Sequence, residues 1–196
     1  MADVDPRPRR RAPGLPLPEC VALVLQGGGA LGSFQGGVIE GLLAAQIEVD
    51  WVAGISIGAV NAAIFAGNPP AERLQALQSF WNTITSALPD FTLPLDETLR
   101  EISHEWAAAT VLVGGVPGFF RPRLLPPAFA IPGTAGALSF YDTEPLRATL
   151  DAHVDWDLLN DGPVRLSVGA VNLESGNFAY FDTRERRIDA RHIMAS

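Results

Sequence analysis

Two glycine-containing segments hold the residues with the clearest capacity for chemistry. Ser56 lies inside Gly54–Gly58, which follows an apolar run and precedes a run of small residues. This layout is typical of a nucleophile elbow, a sharp strand-to-helix turn that exposes a serine hydroxyl. A second turn, Gly27–Gly32, lies one strand–helix unit upstream. Together the two segments predict a serine nucleophile and the backbone donors of an oxyanion hole, and hence acyl transfer.

The oxyanion of a tetrahedral intermediate needs fixed hydrogen-bond donors. Gly28 and Gly29 can supply backbone N–H groups, because glycine allows the backbone to approach a ligand closely. The N–H of Ile57, directly after the predicted nucleophile, is a further candidate. The supporting glycines of the two turns leave room for tight packing; they are Gly32, Gly54 and Gly58.

Two other interpretations fit parts of this pattern. The spacing of Gly27, Gly29 and Gly32, with the acidic Asp50 downstream, also matches the dinucleotide-binding fingerprint. That interpretation places Asp50 at the end of the second strand, whereas the apolar pattern places it at the beginning, and it leaves Ser56 unexplained. The second interpretation is a tight turn whose serine has no chemical role.

The elements around these turns predict an α/β fold. Val21–Gln26 and Val49–Ala53 are predicted as buried parallel strands, and Ile57–Ala66 as the helix after the elbow. A helix between the two strands is predicted to face the core through Phe34, Val38 and Leu42. The class is α/β, with a mainly parallel sheet and helices on both of its faces.

The rest of the chain gives weaker predictions of the same kind. A helix after Pro69 is predicted to present Leu74, Leu77, Trp81 and Ile84, and a helix capped by Asp142 or Thr143 to bury Leu146 and Leu150. A strand through Val164, Leu166 and Val168 is predicted to form a hairpin with Phe178–Phe181, followed by a short helix from Asp189.

Composition narrows the functional classes. The chain has 196 residues, 47% of them hydrophobic, and a net charge of −8, which fits one globular domain and argues against nucleic acid as a partner. The single cysteine, Cys20, fits a reducing compartment and a small core position. Residues 1–19 are predicted to be a disordered arm rich in proline and arginine, without a signal peptide, before a domain spanning residues 20–196. We therefore expect a cytoplasmic protein, with peripheral membrane contact as an option.

Residues 87–141 differ from the rest of the domain. Trp106–Phe120 and Leu124–Tyr141 carry no charged side chain, and proline and glycine interrupt both stretches. These interruptions exclude a transmembrane helix. Two interpretations stay open: an irregular insertion folded over its own core, and an apolar lid over an acyl-binding cleft that touches a lipid surface.

The paired motifs resemble those of the patatin-like phospholipase family. The resemblance rests on Gly27–Gly32, on Gly54–Gly58 and on Asn61–Ala63 in the helix after the elbow, and it covers about Val21 to Ser196. It implies a three-layer α/β fold and lipid acyl hydrolysis by a serine–aspartate dyad, without histidine, metal or cofactor. It assigns Ser56 as the nucleophile and Gly27–Gly29 as the oxyanion-hole turn.

The aspartate of that dyad has no counterpart in the sequence. The family carries it in an Asp-Gly-Gly or Asp-Gly-Ala motif, whereas the only Asp-Gly pair here is Asp161-Gly162, which precedes the Val164 strand. We therefore expect the chain to be truncated before the dyad aspartate, and to have little or no esterase activity by itself. Substantial Ser56-dependent hydrolysis of a short-chain ester by these 196 residues would contradict this expectation.

A Ser–Asp–His triad is the nearest enzymatic alternative. His192 comes late enough in the chain for this order, whereas His104 and His153 are more typical of surface residues. The aspartates that come between Ser56 and His192 and could pair with it are Asp155, Asp157, Asp161, Asp182 and Asp189.

The sequence thus predicts a serine-dependent acyl hydrolase that acts on a phospholipid or other lipid ester through an acyl-enzyme on Ser56. A lipid-binding or interaction module without turnover is the non-catalytic alternative, favoured by the missing base. Neither a metal-binding motif nor a pattern that specifies an oligomeric state is present.

Overall fold

The computed structural model describes residues 17–86, 111, 114–129, 131 and 133–196. The described chain forms two compact units. The first combines the residues up to Leu77 with Val154–Ser196, and the second runs from Gln78 to His153. The predicted N-terminal arm lies almost wholly outside the described residues, as do residues 87–110 of the predicted insertion.

Among the described residues, six strands and seven helices have defined bounds. The strands are β1 (Ala22–Leu25), β2 (Trp51–Ile55), β3 (Arg121–Pro122), β4 (Tyr141–Asp142), β5 (Arg165–Val171) and β6 (Phe178–Asp182). The helices are α1 (Gly32–Ala44), α2 (Ile57–Ala66), α3 (Arg73–Thr85), α4 (Ala135–Leu138), α5 (Glu144–His153), α6 (Trp156–Asp161) and α7 (Ala190–Met194), with short 3₁₀ helices at Gly29–Leu31 and Pro127–Phe129.

The central sheet has the order β1-β2-β5-β6. β1, β2 and β5 run parallel, with Leu25 beside Gly54 and Ile55 beside Gly169, and β6 is antiparallel to β5. The predicted class, a mixture of helices with a mainly parallel sheet, is confirmed. Because β1 and β2 are parallel neighbours, the turns that follow them lie at the same edge of the sheet.

Helix α2 forms the centre of the first unit. Each of its residues, Ile57–Ala66, is buried, which is typical of a helix that is apolar on all sides. Val52 and Gly54 of β2 are buried, whereas their neighbours Trp51, Ala53 and Ile55 are more exposed. This alternation shows that one face of the strand lies under α2, as a strand requires when one side is covered.

The predicted core face of α1 is wrong. Phe34 is 77% exposed, Val38 is 38% exposed and Leu42 is half-buried, whereas Ile39 is fully buried. The spacing of Phe34, Val38 and Leu42 correctly places them on one side of a helix, but the helix turns its Ile39 side inward. Periodicity identifies residues that share a face, and only packing decides which face is covered.

Two further local predictions need correction. β2 begins at Trp51 and continues through Gly54 to Ile55, two residues later than predicted at each end. Cys20 is exposed and lies before β1 begins at Ala22, so it is not a core residue. The apolar run around Cys20 therefore extends past the paired part of the strand.

The later elements of the first unit confirm their predictions. β5 and β6 form the expected hairpin, and Gly176 in the turn between them has a φ of 70°, which favours glycine. Asp189 caps α7 by accepting a hydrogen bond from the N–H of Arg191. Asp155 caps α6 in the same way.

The second unit has its own small core and a two-stranded sheet. Phe80 and Ile84 of α3, together with Leu146 and Leu150 of α5, are buried. β3 pairs antiparallel with β4, and Arg121 forms an ion pair with Asp142, which also accepts a hydrogen bond from the N–H of Glu144. An open groove of about 690 Å³ lies beside this pair; it is lined by residues that include Arg123, Leu124, Ile131 and Thr134. The role of this region as a lid stays a prediction.

Within the described ranges, no helix combines the length and the apolar character needed to cross a membrane.

Candidate active site

Ser56 occupies a strained turn between β2 and α2. Its backbone has φ 56° and ψ −128°, and a non-glycine residue in such a conformation costs about 1–3 kcal/mol. The side chain is exposed, although the whole of the following helix is buried. The turn therefore holds a serine hydroxyl away from the core, at the carboxyl end of a parallel strand.

The two glycines around Ser56 are required by close backbone contacts. A Cβ at Gly54 would lie 2.6 Å from the backbone N of Ala59 and would also collide with the carbonyl of Gly58. A Cβ at Gly58 would lie 2.6 Å from the carbonyl carbon of Leu25 and would collide with its oxygen. Strand β2 and the end of β1 thus approach α2 as closely as backbone allows, which explains both glycines physically.

The upstream glycine turn lies against the side chain of Ser56. A Cβ added at Gly27 would lie 3.1 Å from Ser56 Cβ and 3.7 Å from Ser56 Oγ. Gly28 has φ 147° and Gly29 has φ 55°, conformations that favour glycine. The structure therefore brings together the two segments that the sequence singled out.

Three N–H groups in the glycine turn and directly after Ser56 have no acceptor among the described residues. They belong to Gly28, Gly29 and Ile57. Ile57 is the first residue of α2, so its N–H has no acceptor within the helix. These three N–H groups are the oxyanion donors predicted from the sequence, and their role stays a prediction.

Two amide side chains connect the glycine turn to α2. Asn61, fully buried in α2, donates from Nδ2 to the carbonyl of Gly32 at 2.9 Å and to Gln35 Oε1 at 2.8 Å. Gln35 in turn donates from Nε2 to the carbonyl of Gln26 at 2.7 Å, directly before the glycine turn. This chain of hydrogen bonds fixes both ends of the turn relative to the helix that begins after Ser56.

Of the alternative Ser–Asp–His triad, the structure brings together an aspartate and a histidine, but among the described residues neither forms a hydrogen bond with the serine hydroxyl. His192 Nδ1 lies 2.9 Å from Asp189 Oδ1, where the two residues cap α7, and its ring forms a T-shaped contact with Phe181. A hydrogen bond from Arg191 is the main reason that the pKa of Asp189 is lowered to about 2. Within the described part of the chain, Ser56 Oγ forms no hydrogen bond with a base.

The other four aspartates proposed as triad partners bind other groups. Asp155 caps α6, and Asp157 and Asp161 form ion pairs with Arg187. Asp182 is buried and forms an ion pair with Arg165. His153 donates a hydrogen bond from Nδ1 to the backbone carbonyl of Thr149 within α5, whereas His104 lies outside the described residues.

The position of Asp50 argues against the dinucleotide interpretation. Its carboxylate accepts a hydrogen bond from the N–H of Val21 at 2.8 Å, and its own N–H donates to the Val21 carbonyl. Both residues precede their strands, so Asp50 lies at the amino ends of β1 and β2. A ribose-binding acid belongs at the opposite edge, beside the glycine turn. Among the described residues no cluster of three metal-ligating side chains occurs either.

A comparison with protein families decides between the remaining interpretations of the fold. The sequence model of the family described as patatin-like phospholipase matches residues 23–195. The chain belongs to this family. The assignment supports a lipid hydrolase at the level of the family.

Three known proteins are similar to this patatin-like chain over part of their length. A putative patatin-like phospholipase domain-containing protein of Caenorhabditis elegans, M110.7, is 29% identical over 79 residues, which are 38% of this chain and 7% of that protein. VipD from Legionella pneumophila is 16% identical with a TM-score of 0.45, over 90% of this chain and 42% of VipD. The ExoU–SpcU complex from Pseudomonas aeruginosa contains a chain that is 18% identical, with a TM-score of 0.33. The match covers 88% of the chain described here and 35% of the chain in that complex. The chain thus spans less than half the length of each.

Two residues of this patatin-like site are not revealed by sequence pattern. Gln35 faces away from the apolar stripe of α1, and a polar residue there is typical of a solvated face. Ser196 is far from Ser56 in sequence, yet its Oγ accepts a hydrogen bond from the N–H of Ser56 at 2.8 Å. Neither position carries a local motif, because each acts only through a contact formed by the fold.

Proposed function

We propose that the chain is the acyl hydrolase domain of a patatin-like enzyme in which Ser56 attacks a lipid ester. The single observation that carries this proposal is the strained, exposed Ser56, whose Oγ faces the glycine turn at the carboxyl edge of the sheet. Strain of this kind persists where the surrounding structure enforces it and is concentrated at functional sites.

The proposed reaction proceeds in two steps. Ser56 Oγ forms a bond with the ester carbonyl carbon, the bond to the alcohol oxygen breaks, and the alcohol leaves with a proton. Water then attacks the acyl-enzyme, releases the fatty acid and restores the hydroxyl. Each tetrahedral intermediate carries an oxyanion, for which the N–H groups of Gly28, Gly29 and Ile57 are the proposed donors. The loss of one such donor typically costs about 3 kcal/mol of transition-state stabilisation.

A base must accept the proton of Ser56 in the first step. Among the described residues none forms a hydrogen bond with Ser56 Oγ, and the sequence lacks the Asp-Gly-Gly or Asp-Gly-Ala motif that the resemblance implies. We therefore retain the dyad aspartate as the proposed base and assign it to no residue of this chain.

Exposed apolar side chains beside the turn favour a lipid substrate. Leu31, inside the glycine turn, is 76% exposed, and Phe34, just after it, is 77% exposed; Ile55 precedes Ser56 with 44% exposure. Large apolar side chains grouped around a polar site are typical of surfaces that bind apolar ligands or membranes. A lipid ester held at, or drawn from, a membrane surface is the proposed substrate.

The decisive experiment labels the nucleophile directly. The complete gene product is treated with a fluorophosphonate probe and its peptides are mapped. We expect modification of Ser56 and none at this position in a Ser56→Ala variant, because the probe forms a stable adduct only with an activated serine. Ser175→Ala serves as a matched control, since that hydroxyl bonds only within the turn between β5 and β6.

The non-catalytic alternative makes a different prediction for the same sample. A lipid-binding module without turnover, favoured by the absence of a base at Ser56 Oγ among the described residues, would bind vesicles and leave Ser56 unlabelled. That combination of results would contradict the proposed hydrolase.

A further inference from the structure

The hydroxyl of Ser196 connects the two strands that meet at Ser56. Ser196 Oγ accepts a hydrogen bond from the N–H of Ser56 at 2.8 Å and donates one to the carbonyl of Gly169 at 2.5 Å. Ser56 follows the last residue of β2, and Gly169 is the residue of β5 that pairs with Ile55. The hydroxyl therefore continues the connection between β2 and β5 one residue beyond the last paired position.

A serine hydroxyl suits this place because it accepts and donates at the same time. The Ser56 N–H belongs to the peptide that joins β2 to the strained turn, so any hydrogen bond to it restricts how that turn can relax. Gly169 is buried, and a Cβ added there would lie 2.9 Å from Ile55 Cγ1 and 3.3 Å from Tyr180 Cε1. The hydroxyl thus lies between a strained backbone and a buried, paired residue of β5.

We infer that Ser196 is a positioning residue for the proposed nucleophile, and that its hydroxyl fixes the backbone orientation from which Ser56 presents Oγ. The inference rests on the proposed function of Ser56. Its physical basis is that reacting atoms must be held close to the productive geometry, since a displacement of about 1 Å lowers a rate about 100-fold. Without the hydroxyl, the N–H of Ser56 has no protein acceptor among the described residues and must turn to water.

The location of Ser196 fits this role. It follows α7, whose Ala190 and Ile193 are buried in the first unit and whose first turn is capped by Asp189. The N–H of Ser196 donates to the carbonyl of Ile193, so the residue is held by the last turn of the helix. A residue held in this way keeps its hydroxyl at a fixed position relative to the N–H of Ser56.

The test compares three variants of the complete gene product: Ser196→Ala, Ser196→Thr and the control Ser175→Ala. Two quantities are measured for each: the second-order rate of fluorophosphonate labelling at Ser56, and the rate of amide hydrogen exchange at Ser56. We expect Ser196→Ala to lower the labelling rate by about 10- to 100-fold and to accelerate exchange at the Ser56 amide. Ser196→Thr, which retains the hydroxyl, should stay within about threefold of the wild type for both, and Ser175→Ala should change neither.

The outcomes separate the inference from the proposed function. A wild-type protein that is not labelled at Ser56 would overturn the hydrolase proposal and the positioning role with it. A labelled wild type whose rate survives Ser196→Ala would overturn the positioning role alone. A Ser196→Thr variant as slow as Ser196→Ala would also overturn it, because the hydroxyl would then not be the operative group. Circular dichroism of each variant verifies that the fold is retained.

Discussion

Gly58→Ala is expected to unfold the turn that holds Ser56. The new methyl group would lie 2.6 Å from the carbonyl carbon of Leu25 and 2.8 Å from the carbonyl oxygen of Gln26, and closer still to the Leu25 oxygen. All three atoms belong to the backbone, so no side chain can rotate away. We expect a loss of about 3 kcal/mol or more in the free energy of unfolding. For a chain of this length that loss lowers the melting temperature by about 6–12 °C.

Thermal unfolding followed by circular dichroism measures this effect, and Gly37→Ala is its matched control. Gly37 lies in α1 with nothing within 4 Å of the added Cβ, so alanine there should stabilise the helix by about 0.5–1 kcal/mol. The two variants add the same atom and should change stability in opposite directions. If the Gly58→Ala variant had the same melting temperature as the wild type, α2 would not approach β1 as closely as described.

Asp182→Ala is expected to produce the second large loss of stability. Asp182 is buried and accepts hydrogen bonds from Arg165 Nε at 2.9 Å, from Ser167 Oγ at 2.5 Å and from the N–H of Arg184. Ser167 also accepts a hydrogen bond from Trp51 Nε1, so the cluster connects β2, β5 and β6. Removal of one partner leaves a partly buried guanidinium uncompensated, which costs about 3–5 kcal/mol.

The ion pairs of Arg187 provide the control for this variant. Asp157 and Asp161 contact Arg187 at 2.6 and 2.9 Å, yet their side chains are 89% and 67% exposed. Exposed pairs contribute about 0–1 kcal/mol, so Asp157→Ala and Asp161→Ala should melt close to the wild type. Equal losses in all three aspartate variants would contradict the role given to burial.

The contribution of Asp182 should also depend on pH in a defined direction. Burial of Asp182 opposes its ionisation, but hydrogen bonds from Arg165, Ser167 and the Arg184 N–H outweigh that burial and lower the pKa of its carboxyl. A lowered folded-state pKa contributes stability above the unfolded pKa of about 3.9. The difference in stability between wild type and Asp182→Ala should therefore be full near neutral pH and shrink as pH falls below about 4.

Some predictions from sequence succeeded because their causes are local. The small residues around Ser56 and the run Ile57–Ala66 specify a sharp turn into a buried helix, and the structure contains both. The same holds for the hairpin between β5 and β6, where Ser175–Asn177 specifies the turn, and for Asp189, which caps the helix that follows it. In each case, the residues that determine the geometry are neighbours in the chain.

Other predictions failed because their causes are not local. The apolar stripe of Phe34, Val38 and Leu42 is present on α1, but the helix buries Ile39 instead. The buried face depends on what lies beside a helix, and the sequence of the helix itself does not contain that information. The sequence correctly placed Asp50 near the start of the second strand, but the hydrogen bond that its carboxylate accepts from the N–H of Val21 depends on the pairing of two strands.

The sequence by itself determined the class of the fold, the family, and the two glycine turns whose proximity suggested acyl transfer, because glycine spacing and apolar periodicity are properties of short segments. Only the tertiary structure decided how those turns are held. Asn61 reaches Gln35 across 26 residues, and Ser196 reaches the N–H of Ser56 across 140 residues. Hydrogen bonds over such separations exist only after the chain has folded, so no local pattern in the sequence predicts them.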